Sequence, residues 1–158
     1  HVEDVFTVWS NPNIVTTSIS LSGGRTSFLL GEAFSVDAVV TNLGESFGKT
    51  ILVGYYIDGV MVGTDHIKRE NLKGGTSKVE TLSQTYAPKV AGGHTFTVCA
   101  DYDNRAQETN EADNCASIIF TVTDPNPPTP APPPAVPVPP ALPVPQHLNP
   151  AVYQLLFN

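Results

Sequence analysis

The sequence predicts an all-β protein, built as two packed antiparallel sheets of about seven short strands and followed by an extended polyproline arm. Three observations carry this prediction. No stretch keeps helical periodicity for three turns, turn residues recur about every 8 to 15 residues, and several segments alternate between apolar and polar side chains. Such alternation gives each sheet one buried face and one wet face, so two sheets are expected to pack together.

The chain divides into a body with an extension at each end. Of its 158 residues, the body takes 12–124, which is enough for one domain with its own core. Residues 1–11 precede the body as an N-terminal extension. Residues 125–147 form a proline-rich arm, and residues 148–158 form an apolar terminal segment.

The predicted strands of the body follow one another at short intervals. The clearest alternation lies near residue 37, where Phe34, Val36, Ala38 and Val40 share one face. Asp58-Gly59 is a two-residue hairpin signal between two further runs. The seven predicted strands are Ile14–Leu21, Ala33–Thr41, Ile51–Ile57, Val60–His66, Thr76–Tyr86, Thr95–Tyr102 and Cys115–Thr123.

The N-terminal extension is apolar and rich in β-forming residues. Asn11-Pro12-Asn13 separates it from the first strand of the body. We expect it to form a strand, which either lies at an edge of its own domain or pairs with a neighbouring molecule. The side chains expected to make this contact are Val5, Phe6, Val8 and Trp9.

The two cysteines of the chain are predicted to form a disulfide. Cys99 and Cys115 both alternate out of phase with the apolar face of their strands. If these strands pair about a loop near residue 107, the two cysteines lie directly opposite each other. Opposed Cβ atoms are then ~4.5–5.5 Å apart, near disulfide reach. A disulfide indicates an oxidising environment, so we expect an extracellular or cell-surface protein.

The charge and the missing motifs exclude several classes of function. A net charge of −7 disfavours nucleic acid and anionic membranes as partners. No apolar run approaches the ~18 residues of a membrane span, so membrane insertion is not expected. No nucleophile elbow, zinc-protease motif or phosphate loop occurs. The sequence therefore predicts a protein that is not an enzyme.

An ordered set of short phrases resembles the CARDB family, the cell-adhesion-related domain of bacterial and archaeal surface proteins. The resemblance covers roughly residues 12–123 and implies an immunoglobulin-like sandwich on a cell surface, without catalysis. Unlike a tandem array, this chain has one copy, between an apolar strand and a proline arm. The phrases are Pro12-Asn13-Ile14-Val15, Gly31-Glu32, Thr41-Asn42-Leu43-Gly44, Tyr56-Ile57-Asp58-Gly59, Val62-Gly63-Thr64, Gly93-His94-Thr95, Cys99-Ala100-Asp101 and the run from Glu108 through Glu111 to Cys115.

One loop is strongly acidic and is the candidate metal site. Carboxylate and amide oxygens are the ligands that calcium prefers, and a flexible loop can supply six to eight of them. The alternative is that these side chains shape the turn through bonds to its backbone. The resemblance favours this structural role for Glu111 and Asn114. No cofactor is otherwise expected, and the candidate calcium ligands are Asp101, Asp103, Glu108, Glu111 and Asp113.

The C-terminal arm ends in a segment that is apolar enough to need burial. Residues 125–158 hold 13 of the 15 prolines and no Asp, Glu, Lys or Arg. Polyproline II rises ~3.1 Å per residue, so 125–146 can span about 70 Å. We expect the terminal segment to add as a strand to another copy of the chain. The predicted anchor residues are Ala151, Val152, Tyr153, Leu155, Leu156 and Phe157.

These features predict a structural subunit of an extracellular filament or adhesive assembly, whose partners are other copies of itself. Three alternatives for the arm are open: it folds back over its own domain, forms a wall-spanning stalk, or binds a proline-recognising module. The second hypothesis for function is a carbohydrate- or protein-binding accessory module of a secreted enzyme or adhesin. Surface glycans or other surface proteins would then be the partners.

Overall fold

The computed structural model describes residues 11–135 and 137. These residues form eight β-strands and one short 3-10 helix, Arg69–Asn71. None of their helices is long and apolar enough to cross a membrane. The strands are β1 (Ile14–Leu21), β2 (Ser27–Leu29), β3 (Val36–Asn42), β4 (Ile51–Ile57), β5 (Val60–Ile67), β6 (Ser77–Thr81), β7 (Gly92–Ala100) and β8 (Cys115–Thr123).

The strands form two sheets. The smaller sheet has the order β1-β3-β6, and the larger has the order β2-β8-β7-β4-β5. Neighbouring strands pair antiparallel, except that β2 pairs parallel with β8. The prediction of an all-β sandwich is confirmed.

Most predicted strands are found, with some shifts at their ends. The run predicted from Thr76 stops at Thr81 as a strand, and Tyr86 makes only an isolated bridge with Phe34. β7 starts earlier than predicted, because Gly92 pairs with Val122. The sequence did not predict β2, since three residues are too short to show a period.

The core lies between the sheets and is filled from alternate positions. The inward residues of β3 are fully buried, as the alternation predicted. Phe34, just before β3, stands at the centre of an aromatic cluster. Its ring centroid lies 4.4 Å from that of Phe28, 5.3 Å from Phe120 and 5.6 Å from Tyr86. Edge and offset stacking of this kind adds to the burial of apolar area.

The Asp58-Gly59 turn joins β4 to β5 as predicted. Both residues have positive φ, +49° and +80°, which a two-residue hairpin of this type requires. The Asp58 carboxylate accepts the backbone N–H of Thr95 on β7 at 2.8 Å. The turn is therefore bonded to the neighbouring strand as well as to its own hairpin.

The described part of the proline-rich segment, 125–135 and 137, belongs to no helix or strand. The predicted extended arm therefore stays a prediction. The predicted N-terminal strand and the apolar anchor lie outside the described residues.

Candidate functional site

The disulfide joins the two strands that the sequence singled out. Cys99 and Cys115 pair directly opposite each other at one end of the β7–β8 ladder, and their sulfurs are bonded. Both side chains face away from the core, because Val98 and Ala100 on either side of Cys99 point inward and are buried. The disulfide closes the loop of 101–114, which carries the acidic residues.

The acidic loop begins with a buried carboxylate that organises the backbone. Asp101 is fully buried and has a φ of +48°. Its two carboxylate oxygens accept the backbone N–H groups of Arg105 at 3.0 Å and Ala106 at 2.7 Å. Burial raises the pKa of Asp101, although these two bonds work in the opposite direction. Asp101 thus shapes the turn.

Glu108 connects the same loop to the first strand. Its side chain is buried, and one oxygen accepts the backbone N–H of Ile14. The other oxygen accepts a bond from the Asn114 side-chain amide at 3.1 Å. Burial raises the pKa of Glu108 to about 7. Glu108 therefore satisfies the N–H of Ile14 at the start of β1.

Asn114 and Thr16 extend this junction between the sheets. The Thr16 hydroxyl donates to the Asn114 carbonyl oxygen at 2.7 Å and accepts the Ala100 N–H at 3.3 Å. Because β1 and β7 belong to different sheets, these bonds tie the two layers together. Asn114 thus contributes its main-chain carbonyl to the junction, while its side-chain amide bonds to Glu108.

The remaining acidic side chains of the loop are dispersed. Asp103 accepts a bond from Arg105 at 2.5 Å, and Asp113 accepts one from the Asn13 amide at 3.1 Å. Glu111 accepts the backbone N–H of Glu108 at 3.1 Å. In the part of the chain that the structure describes, no three His, Cys, Asp or Glu side chains converge as a metal ion requires. No three of these carboxylates converge in this part of the chain, and calcium binding stays a prediction.

A groove at the opposite end of the sandwich was not predicted. It has a volume of about 400 Å³ and opens between β5 and the segment that links β6 to β7. Val90 is 63% exposed and Val60 is 67% exposed, so the lining offers apolar surface to solvent. Residues from three separate stretches line it: Ile57, Asp58, Val60, Val62, Tyr86, Ala87, Lys89, Val90 and His94.

His94 forms a polar wall of this groove. Its Nδ1 lies 2.6 Å from the Asp58 carboxylate, and its Nε2 lies 3.0 Å from the Val90 carbonyl oxygen. Both partners are acceptors only, so both bonds exist together only when the imidazole is protonated. The bond to Asp58 raises the pKa of His94 and lowers that of Asp58. The ring also stacks on Phe120 at 5.4 Å.

The described tyrosines lie in different surroundings. Tyr55 is fully buried between the sheets, whereas Tyr86 lines the groove. Tyr56 and Tyr102 lie against Gly54, where an added Cβ would stand 2.8 Å from the Tyr56 hydroxyl and 3.1 Å from Tyr102. Tyr55 and Tyr56 therefore lie on opposite faces of β4.

The chain enters and leaves the sandwich at opposite ends. Pro12 lies beside the acidic loop, and its carbonyl oxygen accepts the Thr109 N–H at 3.0 Å. Thr123 closes β8 at the groove end, and its carbonyl oxygen accepts the Leu30 N–H at 2.9 Å. The nine residues of β8 span the distance between these ends, about 27 Å at ~3.4 Å per residue. We refer to them as the entry end and the exit end.

The predicted contact residues of both extensions lie outside the described residues. This holds for Val5, Phe6, Val8 and Trp9, and equally for the anchor residues between 151 and 157. Their contacts stay predictions.

Comparisons with known proteins agree with this geometry. The CARDB family model matches residues 14–118. A CARDB domain from Pyrococcus furiosus, crystallised in complex with di-metal ions, superposes with a TM-score of 0.61 at 22% identity, covering 73% of this chain and 91% of that one. A putative cell surface protein domain from Methanosarcina acetivorans gives 0.59 at 21% identity, covering 72% and 93%. Among curated proteins, none matches this sequence.

The two-sheet order, with β2 parallel to β8 and the remaining pairs antiparallel, defines an immunoglobulin-like β-sandwich. The family model matches more than half of the length of this chain. The chain belongs to the CARDB family, the cell-adhesion-related domains of surface proteins. The disulfide fits the extracellular setting of such a domain.

Proposed function

We propose that this chain is a structural subunit of an extracellular filament or adhesive assembly, in which subunits are joined head to tail through the C-terminal arm. The observation that carries the proposal is the placement of the chain ends at opposite ends of the sandwich. In the proposed assembly, the arm of one subunit runs on from its exit end to the entry end of the next. Contacts of this heterologous kind extend into filaments when their rotation does not close.

The dimensions of the arm support this arrangement. The sandwich strands are about 27 Å long, whereas residues 125–146 span about 70 Å as polyproline II. The arm therefore has the length to cross a neighbouring subunit and to place the apolar anchor on it. Polyproline also loses little conformational entropy when it docks.

In this proposal the body of the subunit has a structural role and no catalytic one. The carboxylates of the acidic loop are used in bonds to the backbone and to neighbouring side chains. Glu108 and Asn114 hold the loop against β1. The acidic loop thereby fixes the geometry of the entry end, where the arm of the preceding subunit would arrive.

Sedimentation and electron microscopy of the secreted chain test the proposal. We expect long polymers from the full chain and monomers from a chain that ends at Thr123. A matched control keeps residues 148–158 at the same composition in shuffled order, which preserves the length of the arm. Polymers of undiminished length from the shortened chain would refute the proposal.

The groove supports a second candidate, a binding module for carbohydrate or protein ligands. Its apolar lining, with Tyr86 and the His94–Asp58 pair as polar groups, has the composition of a small ligand site. A monomer that binds glycans on an array, and loses this binding on Tyr86→Ala, would favour the second function over the first.

A further inference from the structure

The two sheets present four edge strands among the described residues. β1 and β6 border the smaller sheet, and β2 and β5 border the larger one. An added strand needs an edge whose N–H and C=O groups are unpaired. The four edges differ in direction, length and charge, and these differences single out one of them.

The direction of β5 distinguishes it from the other three edges. β1 runs from the entry end to the exit end, and β6 runs the same way because both are antiparallel to β3. β8 also runs to the exit end, and β2 is parallel to it. β5 alone of these edges runs back toward the entry end, since it is antiparallel to β4, which is antiparallel to β7.

This direction matters for an arm that arrives from the preceding subunit. Such an arm reaches the entry end and continues toward the exit end. It would pair in parallel with β1, β2 or β6, but antiparallel with β5. Antiparallel pairing is slightly more stable per residue, so β5 is the edge that suits an incoming strand.

The backbone of β5 is open along its outer side. The Asp58 N–H bonds to Thr95 on β7, and N–H directions alternate along β4, so the N–H of Gly54 also points to β7. Its partner on β5, Thr64, therefore has its N–H and C=O on the open side. The N–H of His66 faces the same side and is already bonded to the Asp65 carboxylate at 2.7 Å. An irregularity opposite Tyr55 and Tyr56 interrupts the ladder near Val62.

The other edges are less suitable for pairing. β2 has three residues and β6 has five, one of them Lys78, and a lysine on an edge strand discourages pairing. β1 matches β5 in length and has a similar interruption, between Thr16 and Ser18, so β1 is disfavoured by its direction alone. β5 has eight residues, with no Lys or Arg from Val60 to Ile67.

The groove lies where an incoming strand would end. Val60 and Val62 of β5 form one side of it, at the exit end of the edge. A strand that ran along β5 from Ile67 toward Val60 would bring its last side chains to this apolar surface.

We propose that the open edge of β5 receives residues 150–157 of another copy as an antiparallel strand, and that the groove takes the apolar side chains at the end of that strand. This inference rests on the proposed head-to-tail assembly and names its acceptor. The apolar terminal segment 148–158 is longer than the eight residues of β5, so it has the length to cover this edge.

Photo-crosslinking in the full chain tests the acceptor. Tyr153 is replaced by benzoylphenylalanine, and the protein is mixed with an isotope-labelled copy so that links between molecules are recognised by mass. We expect links between copies to residues 60–67 or to the groove. Links between copies to β1, β2 or β6 would overturn the assignment to β5 but leave the assembly intact. Links within one copy, together with a monomer in sedimentation, would overturn both proposals.

A backbone substitution at the edge gives an independent test. Thr64→Pro removes an N–H that points to the open side, so the bonds from β5 to β4 are kept. Thr64→Ala is the matched control, since it shortens the same side chain and retains the N–H. We expect Thr64→Pro to raise the concentration for half-assembly about tenfold or more, and Thr64→Ala to leave it unchanged. Equal assembly of the two variants, both folded by circular dichroism, would contradict the acceptor role of β5.

Discussion

The buried carboxyl of Glu108 makes a quantitative prediction about stability. Its pKa in the folded protein is about 7, against an ordinary value of 4.5, because burial disfavours the charged form. Between these two values the folded state binds more protons than the unfolded state, so stability falls as the pH rises. The difference of about 2.5 pH units corresponds to roughly 3 kcal/mol. This contribution is present in full below pH 4.5 and is lost as the pH passes 7.

The variant Glu108→Gln isolates this contribution, since glutamine has a similar shape and does not ionise. The quantity of interest is the free energy of unfolding of the variant minus that of the unsubstituted protein. We expect this difference to increase by about 3 kcal/mol from pH 4 to pH 8. Urea denaturation at a series of pH values measures the difference, and Glu70→Gln, at an exposed glutamate, is the control. A difference that stays constant within about 1 kcal/mol over this range would refute the argument.

Three further predictions concern the groove wall, the disulfide and the core. Asp58→Asn should lower the pKa of His94, which an NMR titration measures, and an unchanged pKa would contradict the pairing. The pair stabilises the folded state fully below the ordinary His pKa of 6.5, and this stabilisation is lost as the pH rises through the raised pKa of His94. The variant should lack this pH-dependent stabilisation. Replacing Cys99 and Cys115 by alanine should cost about 3 kcal/mol in urea unfolding, from the loop-closure entropy of a 16-residue separation, and a cost near zero would contradict it. Phe34→Ala should cost about 3–5 kcal/mol by the same measurement, because it empties the centre of the aromatic cluster; a loss below 1 kcal/mol would show that the core collapses into the space.

The sequence predicted those parts of the fold that depend on local periodicity. Alternation placed the buried face of β3 correctly, and it placed Cys99 opposite Cys115, because a strand pair has a strict two-residue period. The same reasoning found the Asp58-Gly59 turn, whose positive φ values restrict it to few residue types.

The sequence did not predict features that depend on distant contacts. The bond from Ile14 to Glu108 joins residues 94 positions apart, so no local pattern indicates it. The groove combines residues near positions 58, 62, 88 and 94, which no local pattern brings together. The acidic loop suggested a metal site because of its composition. Composition does not show that Asp101 and Glu108 accept hydrogen bonds from backbone N–H groups.

The placement of the two chain ends has a mechanical consequence. Tension applied between them pulls β1 toward the entry end and β8 toward the exit end, along the strand axis. The backbone bonds between β1 and β3 are then loaded in shear and must yield together, whereas a hairpin pulled from its open end unzips one bond at a time. A sandwich threaded in this way is suited to transmit force from one end to the other without extending.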